Sequence, residues 1–212
     1  KFGFDPIKVK FSPDPAMVKT LEETGTLFGR DLLQVQKRQK RRAAGGMSAS
    51  RSEPAVLALG RVVGSLCVLT ACKGVGDEKL SGAMVASWIS QASFNPPGIS
   101  IAIAKDRAVG ALLHCGDFFT LNVLAAGRQK EIMKQFLQSF PPGADRFEGL
   151  HIDKSPESQP ILPEALAWLE GCVKDRMECG DHWLIYAEIK NGKVLDSEGV
   201  TAVHHRRTGA NY

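Results

Sequence analysis

Two consecutive prolines, Pro96 and Pro97, divide the most informative stretch of this sequence, residues 81–107. Proline has no backbone N–H to donate and fixes its own φ, so the pair predicts an extended turn. The run at 98–104 is short and rich in Ile and Ala, which predicts a buried strand that ends in a Lys-Asp-Arg sequence. Residues 81–93 have mostly small or hydroxyl-bearing side chains, which let a flat ligand approach the backbone. A plain strand–turn–strand unit with a charged exit fits the same residues, so the composition alone leaves both interpretations open.

Other segments predict an antiparallel barrel. Strands are expected at 61–73, 118–124 and 165–179, helices at 106–115 and 129–140, and a polar, Pro-rich loop at 144–163. Asn191-Gly192 lies between the strand-like runs 183–190 and 193–195, which predicts a two-residue hairpin turn. Short strands at close spacing, with helices between only some of them, favour a mainly β, closed antiparallel barrel over βαβ units. No Gly-x-Gly-x-x-Gly follows a strand, which argues against a Rossmann nicotinamide domain.

Composition and charge exclude several classes of protein. The hydrophobic content of 43% and the charged content of 24% are typical of a globular protein, and no apolar run is long enough to span a bilayer. The net charge of +4 is mild and partly confined to one short run, so it does not argue for nucleic-acid binding. The five cysteines have no metal-binding spacing and are expected to be reduced, mostly buried thiols, with no metal site in this chain.

The first 55 residues are expected to belong to a different unit from the rest. A strand at 6–11 and an amphipathic helix at 15–40 cannot bury their own apolar stripe, so they need a partner. The sequence begins without Met, which suggests a piece of a longer protein. A basic run at 37–42 overlaps the start of a Gly- and Ser-containing linker at 41–55. This region is either a solvated hinge or a docking patch for an acidic electron donor. Residues 56–212 then form the barrel domain.

Three motifs resemble one known family. The run from Ser81 to Trp88 (SGAMVASW), followed by SFNPP at 93–97, resembles the flavin-binding signature of the flavin reductase-like family, whose fold is an FMN-binding split β-barrel. FFTLNVL at 118–124 and GDH at 180–182 are similar to two further motifs of that family. More narrowly, residues 59–70 and 199–206 resemble the C-terminal reductase module of diflavin flavodiiron proteins. The strand–helix pair at 1–40 then resembles the last β–α unit of a flavodoxin-like domain, without that domain's FMN-binding loops.

The resemblance implies a set of site residues. The residues implied to line the isoalloxazine, mainly through backbone groups, are Ser81, Ala83, Met84, Val85 and Ala86, with Ser87 and Trp88 also meeting the flavin. Those implied near the ribityl phosphate are Lys105 and Arg107, with Ser93 and Asn122 as further contacts. His182 of the GDH motif is the implied nicotinamide-side catalytic residue, although a lone His is also compatible with a structural role. Gly82 occupies a position that is often Asn in the family.

The resemblance also implies a function and partners. The module would transfer a hydride from NAD(P)H to FMN, or to FAD, and pass electrons to the flavodoxin-like and diiron domains, where O2 becomes water. The alternative is a flavin-binding module that takes electrons from ferredoxin without oxidising NAD(P)H. A stand-alone reductase is disfavoured by the flavodoxin-like segment. The chain would pair with itself or with a paralogue, in the cyanobacterial cytoplasm or the chloroplast stroma. The sequence does not distinguish NADH from NADPH.

Overall fold

The structure is a computed structural model that describes residues 15, 18–19, 21–26, 29, 53–74, 80–138 and 145–210. Three predicted segments lie wholly or mostly outside these residues: the strand at 6–11, the helix at 15–40 and the linker up to residue 52. The described residues between 15 and 29 are helical, as the sequence predicts. None of the helices in the described ranges combines the length and the apolarity that a membrane crossing needs.

From residue 53 onward the described chain is mainly β. Its two α-helices are α1 (Pro54–Leu59) and α2 (Gln129–Phe136), and a 3-10 helix spans Ala108–Leu112. The strands are β1 (Gly64–Ser65), β2 (Cys67–Lys73), β3 (Leu80–Ala86), β4 (Ile89–Phe94), β5 (Pro97–Ala104), β6 (Phe118–Val123), β7 (Asp153–Lys154), β8 (Pro160–Ile161), β9 (Ala167–Cys179), β10 (His182–Val194) and β11 (Val203–His204).

Seven strands form one antiparallel sheet in the order β3-β2-β6-β9-β10-β5-β4. Met84 of β3 and Ile89 of β4, which lie at opposite ends of this order, pack against the same core cluster. A flat sheet would hold its two edge strands far apart, so the sheet must curve around that core. The mainly β barrel predicted from the sequence is therefore confirmed.

A second core covers the outer face of β2 and β3. Val68 and Ala83 pack there against Ile132 and Phe136 of α2 and against Phe147. Helix α2 is short, and its apolar residues recur on one side, as an amphipathic helix requires. Strand β2 consequently has buried residues on both faces, which explains why its sequence is apolar throughout.

The predicted hairpin at Asn191-Gly192 is wrong. Both residues lie inside β10, where Asn191 pairs with Glu170 and Gly192 with Leu169, and the turn that joins β9 to β10 is Gly180-Asp181. Asn191 donates its side-chain N–H to the buried Glu170 carboxylate at 2.7 Å. A Cβ at position 192 would lie 3.0 Å from the Leu169 side chain. The Asn-Gly signal thus reflects contacts with β9, which the local sequence does not contain.

Other predicted boundaries shift by a few residues. The strand expected at 61–73 is divided into β1 and β2, the helix expected at 106–115 is the shorter 3-10 helix, and α2 ends at Phe136. Asn95–Pro96 is a cis peptide bond in the turn between β4 and β5. The loop expected at 144–163 includes the small β7–β8 pair, which Gln159 anchors through hydrogen bonds of 2.7 and 3.2 Å to the backbone N–H and C=O of Cys72.

Candidate functional site

Strand β3 is an edge strand built from small residues. Within the described residues it has a hydrogen-bonded neighbour, β2, on one side only. An edge strand presents backbone N–H and C=O groups that its own sheet does not use. Gly82, Ala83 and Ala86 are buried, whereas Ser81 and Met84 are half-buried. A planar, polar-edged ligand can therefore approach the backbone of this strand closely.

The 3-10 helix packs against the inner face of β3. A Cβ at Gly82 would lie 3.1 Å from the Leu112 side chain and 3.3 Å from the Val109 backbone, so an Asn at this position would require its neighbours in the helix to shift by a few tenths of an ångström. The close packing of the 3-10 helix thus explains why Gly82 stands at a position that is often Asn in the family. Lys105 and Arg107 lie between the end of β5 and the start of this helix.

His182 begins β10 and is nearly buried, with 8% of its surface exposed. It pairs with Ala104 at the end of β5, and the adjacent Lys105 N–H donates to the Asp181 carbonyl at 2.9 Å. The His182 Nδ1 atom lies 2.7 Å from Asp181 Oδ1. That hydrogen bond lowers the pKa of Asp181 below its ordinary 3.8. Asp181 is therefore a carboxylate at neutral pH and accepts the hydrogen bond, which puts a proton on Nδ1.

Trp88 connects His182 to β3. Ser87 and Trp88 join β3 to β4, and the Trp88 ring stacks on the His182 ring with centroids 4.7 Å apart and planes inclined by 30°. The Trp88 carbonyl also accepts a 2.9 Å hydrogen bond from the Ala102 N–H of β5. The end of the predicted flavin strand and the predicted nicotinamide-side histidine are therefore in direct contact.

Lys105 and Arg107 bring positive charge to this region. Lys105 forms an ion pair with Glu178, and its Nζ lies 5.2 Å from the centre of the Trp183 ring. Arg107 is exposed, with its Nε 3.9 Å from the Asp106 carboxylate. Both side chains reach solvent at the exit from β5, where an anionic group could bind them.

Asn122 and Ser93 do not belong to this group. Asn122 is fully buried on the outer face of the sheet, where its amide donates to the Val68 carbonyl and accepts from the Leu162 N–H. The Asn122 amide is thus occupied by contacts within the protein, and its contact with the phosphate stays a prediction. Ser93 pairs with Gly98, six residues before Ala104 on β5. At about 3.3 Å per residue, the seven residues from Gly98 to Lys105 separate Ser93 from Lys105 by about 23 Å, too far for both to hold one phosphate.

Two contacts of the site come from residues that the sequence did not indicate. His204 Nδ1 lies 3.1 Å from Ser87 Oγ, and the Arg206 guanidinium lies 4.9 Å from the centre of the Trp88 ring. Both belong to the last segment of the chain, over a hundred residues away from their partners. The His-His-Arg sequence at 204–206 is the only local sign of them, and it carries no spacing that points to Trp88.

Comparison with known proteins decides the family. Residues 59–211 match the model of the flavin reductase like domain. The chain belongs to this family. As a flavin reductase-like chain it is 49% identical over 212 residues to a diflavin flavoprotein of Nostoc sp. and 46% identical over 210 residues to diflavin flavoprotein A 1 of Synechocystis sp.. It spans 35% of the length of each of these relatives, and 100% and 99% of the chain is matched.

The solved structures that it resembles have the same fold. The NADH:FAD oxidoreductase SgcE6 of Streptomyces globisporus is 25% identical, with a TM-score of 0.62 over 69% of this chain and 84% of that one. That enzyme is also known in complex with NAD and FAD fragments. The predicted resemblance to the reductase module of diflavin proteins is thereby confirmed, and the flavin reductase-like chain is a flavoprotein domain of the oxidoreductase class.

Proposed function

We propose that this chain is an NAD(P)H:flavin oxidoreductase module that holds FMN along β3 and passes its electrons to flavodoxin-like and diiron domains that reduce O2 to water. One observation carries the proposal. The edge strand β3, with its small side chains, runs directly into Trp88, which stacks on the nearly buried His182. This contact joins a surface suited to an isoalloxazine to a histidine suited to a nicotinamide.

The residues of this site fit a flavin nucleotide. The backbone groups of residues 81–86 would meet the polar edge of the isoalloxazine, because the unused edge of β3 offers both donors and acceptors. Lys105 and Arg107 would hold the phosphate at the exit from β5. Ser87 and Trp88 would border the ring system at the end nearest His182. When bound, the flavin supplies the chemistry, accepting a hydride and releasing electrons to the next carrier.

His182 would orient the nicotinamide. The ionised Asp181 carboxylate fixes the imidazole by accepting a hydrogen bond from Nδ1. Stacking on Trp88 further limits the rotation of the imidazole ring. A histidine held in this way can hydrogen-bond the carboxamide or a phosphate of the dinucleotide and hold it against the flavin.

The proposal extends to the rest of the protein and to its location. The matched relatives carry the name diflavin flavoprotein and are about three times longer, which supports further domains that receive the electrons. They are cyanobacterial, which favours a cyanobacterial cytoplasm over the chloroplast stroma. FAD in place of FMN, a second copy or a paralogue as partner, and the division into segments 1–40, 41–55 and 56–212 stay predictions.

The proposal is tested by replacing His182 with Gln and measuring anaerobic reduction of the bound FMN by NADPH in a stopped-flow spectrophotometer. Loss of one transition-state hydrogen bond is expected to slow reduction about 10- to 100-fold, with the FMN dissociation constant unchanged within about twofold. The matched control is His151→Gln, because His151 is exposed on a loop remote from β3 in sequence. The control is expected to reduce FMN at the original rate.

An unchanged rate in His182→Gln would refute the role given to His182. FMN that NADPH fails to reduce in the unaltered chain, but that a small iron–sulfur protein does reduce, would refute the nicotinamide step. That second result would support the alternative of a ferredoxin-fed flavin carrier.

A further inference from the structure

Three side chains from distant parts of the sequence form one stack beside β3. The Arg206 guanidinium lies 4.9 Å from the centre of the Trp88 ring, and the His182 ring lies 4.7 Å from the same centre. His182 is in turn bonded to Asp181 at 2.7 Å. The indole is thus in contact with a fixed cation and with the imidazole at the same time. A guanidinium favours the face of an indole more than that of any other aromatic ring, and more so where water is excluded.

Arg206 is itself held in place by the first helix of the barrel domain. Its Nη2 donates to the Leu59 carbonyl of α1 at 3.4 Å, and its Nη1 atom is buried. Three residues later the Gly209 N–H donates to the Val56 carbonyl at 2.7 Å. A Cβ at position 209 would lie 2.6 Å from Leu59 Cβ, so only glycine allows this close approach. The segment that follows Arg206 is therefore docked on α1 through Gly209.

The segment that precedes Arg206 is also held in place, by contacts with Gly64 and Ser87. His204 pairs with Gly64 in the two-stranded sheet formed by β1 and β11, and its Nδ1 lies 3.1 Å from Ser87 Oγ. Gly64 is packed so closely that a Cβ there would lie 1.7 Å from the Ser87 carbonyl oxygen. Arg206 is thus held between two anchor points, and it has little freedom to leave the Trp88 ring.

We propose that Arg206 is a positioning residue for His182 and that it acts through Trp88. By holding the indole in one orientation, it holds the imidazole that stacks on the indole, so that the nicotinamide meets a preformed site. The effect of Arg206 on catalysis rests on the proposed function, because that function gives His182 its role. The effect of Arg206 on the orientation of the His182 ring does not rest on the proposed function, since only contacts within the chain are involved.

The experiment follows the ring protons of His182 by NMR in the 212-residue chain. Their signals are assigned by their absence in His182→Gln. Because the stacked indole shifts these protons upfield, Arg206→Ala is expected to remove about half or more of that shift, whereas Arg206→Lys, which keeps a cation near the ring, retains most of it. The control is Arg207→Ala, which removes the exposed neighbouring cation and is expected to leave the shift unchanged.

A kinetic measurement separates positioning from a general loss of structure. Arg206→Ala is expected to raise the KM for NADPH about fivefold, the factor that corresponds to about 1 kcal/mol, and to leave the FMN dissociation constant within about twofold. Arg206→Lys is expected to recover most of that change. A variant that merely loosened the fold would weaken FMN and NADPH binding together.

The outcomes are distinguishable. An unchanged His182 shift in a folded Arg206→Ala variant would overturn the proposal. A changed shift in a protein whose FMN is not reduced by NADPH would uphold the positioning and refute the proposed function. If Arg206→Ala fails to fold, Arg206→Gln keeps most of the stem without the charge, and Gly209→Ala disturbs the docking on α1. Both are expected to move the His182 signals downfield, and a failure of both to do so would also overturn the proposal.

Discussion

Replacing Asn122 with Ala distinguishes a structural from a flavin-binding role for the asparagine of the FFTLNVL motif. The structure buries this side chain completely and gives its amide three partners. Its Oδ1 accepts a 2.8 Å hydrogen bond from the Leu162 N–H, and its Nδ2 donates at 3.2 Å to both the Val68 carbonyl and Thr70 Oγ1. The alanine variant leaves the Leu162 N–H buried without this acceptor.

The expected loss of stability follows from these contacts. An orphaned buried N–H costs about 1–3 kcal/mol, and loss of the other bonds and of packing adds about 1 kcal/mol, for a total of about 2–4 kcal/mol. This is a large share of the about 5–15 kcal/mol that stabilises a typical domain. Urea unfolding measures the change, and FMN titration is expected to give an unaltered dissociation constant at low urea.

The matched control is Asn122→Asp, which keeps the shape and the acceptor for the Leu162 N–H but replaces the amide donor with a carboxylate. We expect it to be destabilised as well, because a buried carboxylate would face the Val68 carbonyl without a donor, and protonating it to restore the donor costs free energy at neutral pH. A folded Asn122→Ala variant with nearly normal urea resistance and about tenfold weaker FMN binding would refute the purely structural role and support the predicted flavin contact.

Three further predictions concern the surroundings of the site. Gly64→Ala is expected to lower the free energy of unfolding by about 3 kcal/mol in urea, because its Cβ would lie 1.7 Å from the Ser87 carbonyl oxygen; a change below about 0.5 kcal/mol would contradict the close packing. Burial, and then nearby positive charge, lower the pKa of His204 below 6.5, so the folded state binds fewer protons and its stability should fall as the pH drops below about 6.5. His204→Gln should flatten that part of the pH dependence in urea unfolding, and an unaltered slope would exclude His204 as its source. The double variant Lys105→Ala/Arg107→Ala should weaken FMN binding about tenfold without changing the urea midpoint, and full FMN retention would reject the phosphate assignment.

The strands that the sequence predicted well are those whose local pattern agrees with their environment. The apolar run at 98–104 is strand β5, whose Ile99, Ile101 and Ile103 are core residues. Strand β6 was equally recognisable from its apolar residues. In these segments local propensity and tertiary burial point to the same structure, and the FFTLNVL motif of the family resemblance lies almost entirely on β6.

Prediction failed where a residue type serves a distant contact. Asn191-Gly192 has the composition of a turn, but Asn191 hydrogen-bonds the Glu170 carboxylate, and Gly192 leaves room for the Leu169 side chain. Neither partner is near in sequence, so no periodicity or spacing could reveal it.

The candidate site was predicted in part. The sequence indicated β3 and His182 through motifs, and the structure brings the end of β3 to His182 through the Trp88 stack. No motif or spacing places Arg206 on Trp88, because this contact depends on the docking of the last described segment on α1. It also could not show that β3 is an edge strand, because strand order is a property of the assembled sheet.

The central claim, that this chain binds a flavin and accepts electrons from a nicotinamide, is tested most directly by one spectrum. The chain is mixed with FMN, desalted, and its visible absorbance is recorded before and after anaerobic addition of NADPH. We predict that the yellow colour stays with the protein through desalting and is bleached by NADPH. A colourless protein after desalting would contradict the flavin site on β3, and a yellow protein that NADPH does not bleach would contradict the reductase activity.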